Sequence, residues 1–290
     1  MRERLDPMIA ERAPWLFRPS LAARGARVVL DRLLAYERSV EIGTSYVDLS
    51  VPDIMADLAR RIAQRVTFEG LENVPTDGRA LIVANHPTGI ADGIILQDLL
   101  LRRRADAFYY ANADILKVLP QFEEIIVPVE WREEKRTVAK TRETMTLTRK
   151  ALEAERLGVI FPSGRLAKRR GLQLHERKWM ASAAMIARKF ALPVIPVHIR
   201  ARNSAMFYAF DAIHPTLRDI TLFHETLNKD VQPYHVTFGR PLDGGALPKD
   251  AHLGIEELRE ATLRLGSGRQ GEIKLTETRP AFRPWRPRTA

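Results

Sequence analysis

The sequence predicts an α/β fold, a single mixed sheet flanked by helices, with a helical N-terminal extension. Three observations point there. From Val66 onward, short apolar runs rich in β-branched and aromatic residues alternate with longer helical patterns. The segment ahead of Val66 is helical in pattern throughout. The chain's 290 residues, 45% hydrophobic and 28% charged, suffice for a sizeable core.

Residues 1–65 form the helical extension. In "SLAARGARVVLDRLLAYERS", Leu21, Val28, Val29, Leu33, Leu34 and Tyr36 fall mostly on one face, with Arg24, Arg27 and Arg32 outside it. A helix at 20–38 packed on the core and a basic helix lying in a membrane interface both fit that pattern. "VPDIMADLARRIAQRV" repeats it, with Pro52 at a helix start and Ile54, Leu58 and Ile62 on one stripe.

Residues 66–245 carry the sheet. Its strands are expected in "VTFEG", "RALIVAN", "AFYYAN", "EIIVPVE", "LGVIFPSG", "LPVIPVHIR" and "YHVTFGRPL". Helical patterns lie between them at about 92–103, 113–119, 134–156 and 173–190, and later at 253–265. In the fourth, Trp179, Ala183, Ile186 and Phe190 step by threes and fours, which marks a core stripe. Residues 246–290 hold the last helix and a tail, "TETRPAFRPWRPRTA", too rich in Pro and Arg for a regular element.

Composition excludes several chemistries. There are no cysteines, so disulfides, thiolate zinc sites and cysteine nucleophiles are out. The seven histidines show no H-x-x-x-H spacing, and neither a Walker loop nor a Rossmann glycine fingerprint occurs. No metal or cofactor is expected. The N-terminus lacks a signal peptide's apolar core, and no stretch reaches the ~18 apolar residues of a spanning helix. A cytoplasmic protein, peripheral at the cytoplasmic face of the inner membrane, is the expectation. The net charge of +10 suits a polyanionic partner. A nucleic acid is not favoured, because aromatic residues do not interleave with basic ones on the strands.

Two stretches carry chemistry. In "ALIVANHPTGIADGIIL", an apolar strand ends at Asn85-His86-Pro87, turns through Gly89 and reaches Asp92 as a helix begins. Ligands of open α/β sheets bind at that strand edge. A histidine there takes a proton from a hydroxyl when a carboxylate orients it. A helix-capping Asp92 with a turn-forming His86 fits the same letters. In "GVIFPSGRLAKRRG", a strand ends at Phe161-Pro162, and Ser163-Gly164 turns into Arg165, Lys168, Arg169 and Arg170. Guanidinium groups behind a glycine turn suit a phosphate. Ser163 is not a nucleophile elbow, since Phe161 stands where glycine is required.

Together these stretches resemble the glycerolipid and lysophospholipid acyltransferase family, over roughly residues 66–242. "NHPTGIADG" resembles its His–Asp motif, and "NADILKVLPQFEEIIVPVE" its second block. "FPSGR" stands in the place of the F-P-E-G block, and "LPVIPVHI" resembles the late strand. The segments "RNSAMFYAFDAIHPTL" and "ETLNKDVQPYHVTFGRPL" are similar to the hemolysin-like, or ornithine-lipid O-acyltransferase, branch. Five residues separate His86 from Asp92 where the common motif has four. The second block, usually ending near an Arg, here ends "IVPVEW". Ser163 replaces the block's Glu, and Leu166 stands where its Arg would fall, with Arg165 one position earlier.

The resemblance implies transfer of a fatty acyl group from acyl-CoA or acyl carrier protein to a lyso-lipid hydroxyl. His86 would be the general base and Asp92 its orienter, with no acyl-enzyme. Gly164 and Arg165, helped by Lys168 and Arg169, would hold the acceptor's phosphate; Asn85, Gly89 and Ser163 join them as substrate-binding residues. An anionic membrane surface is the expected partner. A catalytically lapsed, basic lipid-binding protein is the competing reading.

Overall fold

A computed structural model describes residues 1–130, 135–266 and 272–276. The extension folds as four helices, α1 (Arg2–Arg12), α2 (Leu21–Leu33), α3 (Tyr36–Ser45) and α4 (Val51–Ile62). The helix expected over 20–38 is therefore two helices. Ala35 takes a left-handed backbone, φ 50°, between them, and that break turns the chain. The break also splits the expected stripe. Leu34 and Tyr36 are buried, whereas Leu21, Val28, Val29 and Leu33 face outward. In α4 the stripe does reach the core, with Ile54 and Ile62 buried.

The sheet portion follows as β1 (Val66–Glu69), β2 (Ala80–Ala84), α5 (Ile90–Leu100), β3 (Phe108–Asn112), α6 (Asp114–Val118), β4 (Ile126–Val129), α7 (Val138–Glu153) and β5 (Leu157–Ile160). Then come β6 (Lys168–Arg170), β7 (Gln173–His175), α8 (Ser182–Lys189), β8 (Pro193–Arg200), α9 (Ala205–Ile213) and α10 (Pro215–Leu227). The chain closes with β9 (Tyr234–Phe238), β10 (Leu242–Asp243), α11 (Ala251–Arg264) and β11 (Ile273–Lys274). The main sheet runs β1-β9-β8-β2-β5-β3-β4, with β10 on the edge of β8. All seven expected strands are in it. It is mixed: β2 pairs in parallel with β5 and β8, while β9 runs antiparallel to β8.

Strand β2 sits at the centre and is buried on both faces. Ala80, Ile82 and Ala84 join the core under α4 and α5; Leu81 and Val83 join the one under α8 and α11. That is why "ALIVA" is continuously apolar and does not alternate.

Two further regions differ from the sequence reading. The helix expected over 173–190 begins only at Ser182, because Gly171 (φ 59°) makes a two-residue hairpin turn that pairs Arg170 with Gln173. Trp179 is buried as expected, but from irregular chain ahead of the helix. Strands β6, β7 and β11 form a second, three-stranded sheet. Helices α9 and α10 also lie outside the expected helical patterns. Their starts are set by Ser204, whose hydroxyl accepts from Phe207 N–H, and by His214, whose ring accepts from Thr216 N–H. All but the first residue of the Pro/Arg-rich tail lies outside the described residues.

Candidate active site

The site is built at the C-terminal edge of β2 and β5, which are in register from Ala80↔Leu157 to Val83↔Ile160. Continuing both strands brings the His86 turn and the Phe161–Ser163 turn side by side. The His86 ring stacks on Phe161, centroids 4.3 Å apart. Asn85, just ahead, is buried. Its amide donates to the Ile199 carbonyl at 2.9 Å and accepts from the Ile199 N–H at 2.6 Å. Asn85 thus extends the β2–β8 pairing with its side chain, and fixes where the loop leaves the sheet.

The backbone of His86 is tied at both ends. Its N–H donates to Glu176 Oε2 at 3.2 Å, and its carbonyl accepts from Ala167 N–H at 2.9 Å. The turn then closes on Asp92. Thr88 N–H (2.9 Å), Thr88 Oγ1 (2.6 Å) and Gly89 N–H (3.0 Å) all donate to its two oxygens. Gly89 is required here, because its φ of 95° lies in the region L side chains avoid. A carboxylate only accepts, so the Thr88 hydroxyl is its donor and Tyr234 Oη in turn donates to Thr88. Burial raises the Tyr234 phenol well above its ordinary pKa, which keeps that proton in place.

His86 Nδ1 lies 3.0 Å from Asp92 Oδ2, with side-chain exposures of 18% and 0%. The distance is that of a hydrogen bond, but the alignment is not that of a regular one, and among the described residues Nδ1 makes no other. Apo catalytic pairs are commonly off-line in this way and tighten around substrate. With Nδ1 turned to Asp92, Nε2 is the nitrogen left for a substrate proton.

Glu176 is the residue sequence reasoning missed. Besides holding His86, it accepts from Trp179 Nε1 at 3.0 Å, and the Ser163 hydroxyl lies beside it. A half-buried carboxyl therefore stands next to Ser163, the residue in the place of the F-P-E-G block's Glu. Burial raises its pKa, offset in part by the Trp179 and His86 N–H donors. Glu176→Ala is expected to cost about 1–3 kcal/mol for each donor left unpaired, measured by denaturant unfolding. Glu176→Gln should be better tolerated. A raised folded pKa means the proton stabilises the fold, and that contribution is lost as pH rises from the unfolded carboxyl range, about 4.3, through the folded value. Relative stability should therefore shift toward Glu176→Gln with rising pH; a pH-independent difference would contradict this.

The basic loop is divided by the structure. Ser163 is buried and donates to the Arg165 carbonyl at 2.8 Å; Gly164, with φ 58°, makes the turn. Arg177 lies within electrostatic reach of Arg218 and Arg165. Burial, then these two neighbours, lowers the Arg177 pKa. Arg218 is held by Asp219 at 2.7 Å and Asp211 at 3.2 Å. On β6, Lys168 and Arg170 point to solvent and Arg169 turns inward. A further buried pair, Lys229 Nζ to Glu225 Oε2 at 3.1 Å, lies close enough to feel the Asp92 charge.

Residues 65–200 match the family model described as Acyltransferase. Over those residues the chain carries an acyltransferase domain. Two curated relatives, the lyso-glycine lipid O-acyltransferases of Phocaeicola vulgatus and Bacteroides thetaiotaomicron, are each 24% identical over 184 residues, 61% of this chain. The match spans 64% and 66% of their lengths. The solved 1-acyl-sn-glycerophosphate (LPA) acyltransferase PlsC from Thermotoga maritima aligns over 83% of this chain and 96% of its own. That alignment has 15% identity and a TM-score of 0.48. The acyltransferase domain contains His86, Asp92, Glu176 and the Phe161–Arg165 turn. Tyr234, which meets Thr88, and the Glu225–Lys229 pair lie outside it.

Proposed function

We propose that the protein is an O-acyltransferase that moves a fatty acyl group from a thioester, acyl-CoA or acyl carrier protein, to a lysolipid hydroxyl. The carrying observation is the His86–Asp92 pair at the sheet edge, within an acyltransferase domain. His86 Nε2 takes the acceptor's hydroxyl proton as that oxygen attacks the thioester carbonyl. The new C–O bond forms, the C–S bond breaks, and the imidazolium returns its proton to the departing thiolate. The buried Asp92 holds the ring and supports the positive charge that forms on it. Neither a metal nor an enzyme nucleophile is needed. The relatives' names place a lysolipid on them, and the same acceptor class is proposed here. The test is thiol release from an acyl thioester over a panel of lysolipids. Release that depends on acceptor supports the reading; binding without release in every case makes the protein a lipid binder.

The same reading needs contact with a bilayer, and α2 provides a surface for it. Leu21 (85% exposed), Val28, Val29 and Leu33 form an outward apolar stripe flanked by exposed Arg24 and Arg32. The neighbouring Trp15-Leu16-Phe17 contributes less than its sequence suggests. Leu16 is buried, and the Arg27 guanidinium lies over the Phe17 ring, 4.3 Å from its centroid. Arg27 itself is paired with Asp6 at 2.8 Å. Each free basic residue adds about 1 kcal/mol at an anionic surface. Binding to anionic liposomes should weaken as salt rises, and Val28→Asp with Val29→Asp should reduce it strongly. Equal binding to neutral vesicles, or no effect of the double change, would remove α2 from the account.

A further inference from the structure

The hydrogen bonds that hold Asp92 continue beyond the His86 loop. Tyr234 opens β9, the strand antiparallel to β8, so it lies at the sheet edge where β8 ends at Arg200. That is also the edge where β2 gives way to the His86 turn. The Tyr234 side chain belongs to the main core and is 2% exposed, so close packing fixes its ring. The strand's two other core positions, Val236 and Phe238, are purely apolar. Packing alone asks for no hydroxyl at 234. One is there, and it meets the Thr88 hydroxyl at 2.5 Å.

Thr88 has one hydroxyl proton and two neighbours that can accept it, Tyr234 Oη and Asp92 Oδ1. Among the described residues, that hydroxyl is the one donor to Asp92 Oδ1, at 2.6 Å. Oδ2 accepts from the Thr88 and Gly89 N–H groups and faces His86 Nδ1. Thr88 and Asp92 are both buried, so bulk water supplies no substitute donor. The phenol proton fills a lone pair of Thr88 Oγ1 and turns that hydroxyl's own proton onto Oδ1. Both carboxylate oxygens are then held, and the plane that presents Oδ2 to His86 is fixed. Without the phenol, Thr88 Oγ1 loses a buried partner and its side chain loses the contact that selects its rotamer.

We propose that Tyr234 is a positioning residue of the acyl-transfer site: through the Thr88 hydroxyl it fixes the plane of the Asp92 carboxylate against His86. This rests on the reading of His86 as the base and Asp92 as its orienter. The links run from Tyr234 Oη to Thr88 Oγ1 to Asp92, and in a low-dielectric site each strengthens the next. The match to the acyltransferase domain ends at residue 200, so part of the dyad's support comes from the chain that follows it. A tyrosine that merely satisfied its own hydroxyl would behave like Tyr109. That side chain lies in the same core, 5% exposed, and donates to Gln97 at 2.9 Å, away from the chain of hydroxyls on Asp92.

Tyr234→Phe and Tyr109→Phe each lose one buried hydroxyl, and comparing them in the full chain by thermal melt, transfer kinetics and amide hydrogen exchange tests this. Both should melt somewhat lower. Only Tyr234→Phe should lose kcat, about threefold to tenfold, with acceptor KM unchanged. Equal kcat in the two variants overturns the proposal. Thr88→Val should cost at least as much, Thr88→Ser should recover most of it, and Tyr234→Phe should add nothing in the Thr88→Val background. A fully additive loss there overturns the route through Thr88. If Tyr234→Phe fails to fold, Thr88→Val against Thr88→Ser decides, and equal kcat in that pair overturns the chain of hydroxyls. Exchange is read without substrate. The Thr88 and Gly89 amides, which donate to Asp92, should exchange about tenfold faster in Tyr234→Phe than in Tyr109→Phe. Equal rates overturn the positioning role. The two readings therefore fail separately. Faster exchange in a protein that transfers to no acceptor keeps the clamp and sinks the enzyme; transfer with unchanged exchange and kcat does the reverse.

Discussion

His86→Ala is expected to lower acyl transfer about 10²–10⁴-fold, the usual cost of losing a general base. Fold and acceptor binding should survive. The loop around His86 is held by its backbone, through Glu176 and the Ala167 N–H, and not by the ring. The ring's contact with Phe161 is partly exposed, so its loss opens no sealed cavity. Turnover of purified protein, read beside a thermal melt, checks this. Near-normal turnover in a folded variant would end the mechanism.

Asp92→Asn should be nearly as damaging for two separable reasons. The amide keeps the carboxylate's shape but loses the charge that supports the imidazolium; the same change in a Ser–His–Asp triad costs about 10⁴-fold. The amide also presents N–H where the protein supplies only donors, from Thr88 and Gly89. Leaving one of them unpaired costs about 1–3 kcal/mol of stability. Turnover falling further than stability distinguishes the catalytic loss from the structural one. Wild-type turnover would reduce Asp92 to the cap of α5.

How much of this is legible in the sequence depends on how far apart the partners lie. His86 and Asp92 are six positions apart in one turn, so spacing and the glycine between them suffice. Seven of the eight main-sheet strands are legible because each is a short apolar run bounded by turn residues. The partners that complete the site are not. Glu176 meets His86 across 90 positions and Tyr234 meets Thr88 across 146, and packing of this kind leaves no local mark. The β6–β7 hairpin is different. "RGLQ" carries a glycine at the turn's first position, a readable signal outweighed by the helical stripe through Trp179 and Ala183. The apolar stripe of α2 was legible as a stripe, but not that it faces outward. Periodicity reports which residues share a face and says nothing of what covers it. Lys168 and Arg169 show the same limit, since adjacent basic residues on a strand must point to opposite sides.

The account's central claim is that a hydroxyl of the acceptor, deprotonated by His86, attacks the thioester directly. The most direct measurement compares a hydroxylated lysolipid with its deoxy analogue, reading free thiol and product mass together. Wild-type protein should release one thiol for each ester formed on the hydroxylated acceptor. It should bind the deoxy analogue without acylating it, and His86→Ala should acylate neither. Fatty acid released at the same rate with either acceptor, or an acyl group found on the deoxy analogue, would contradict it.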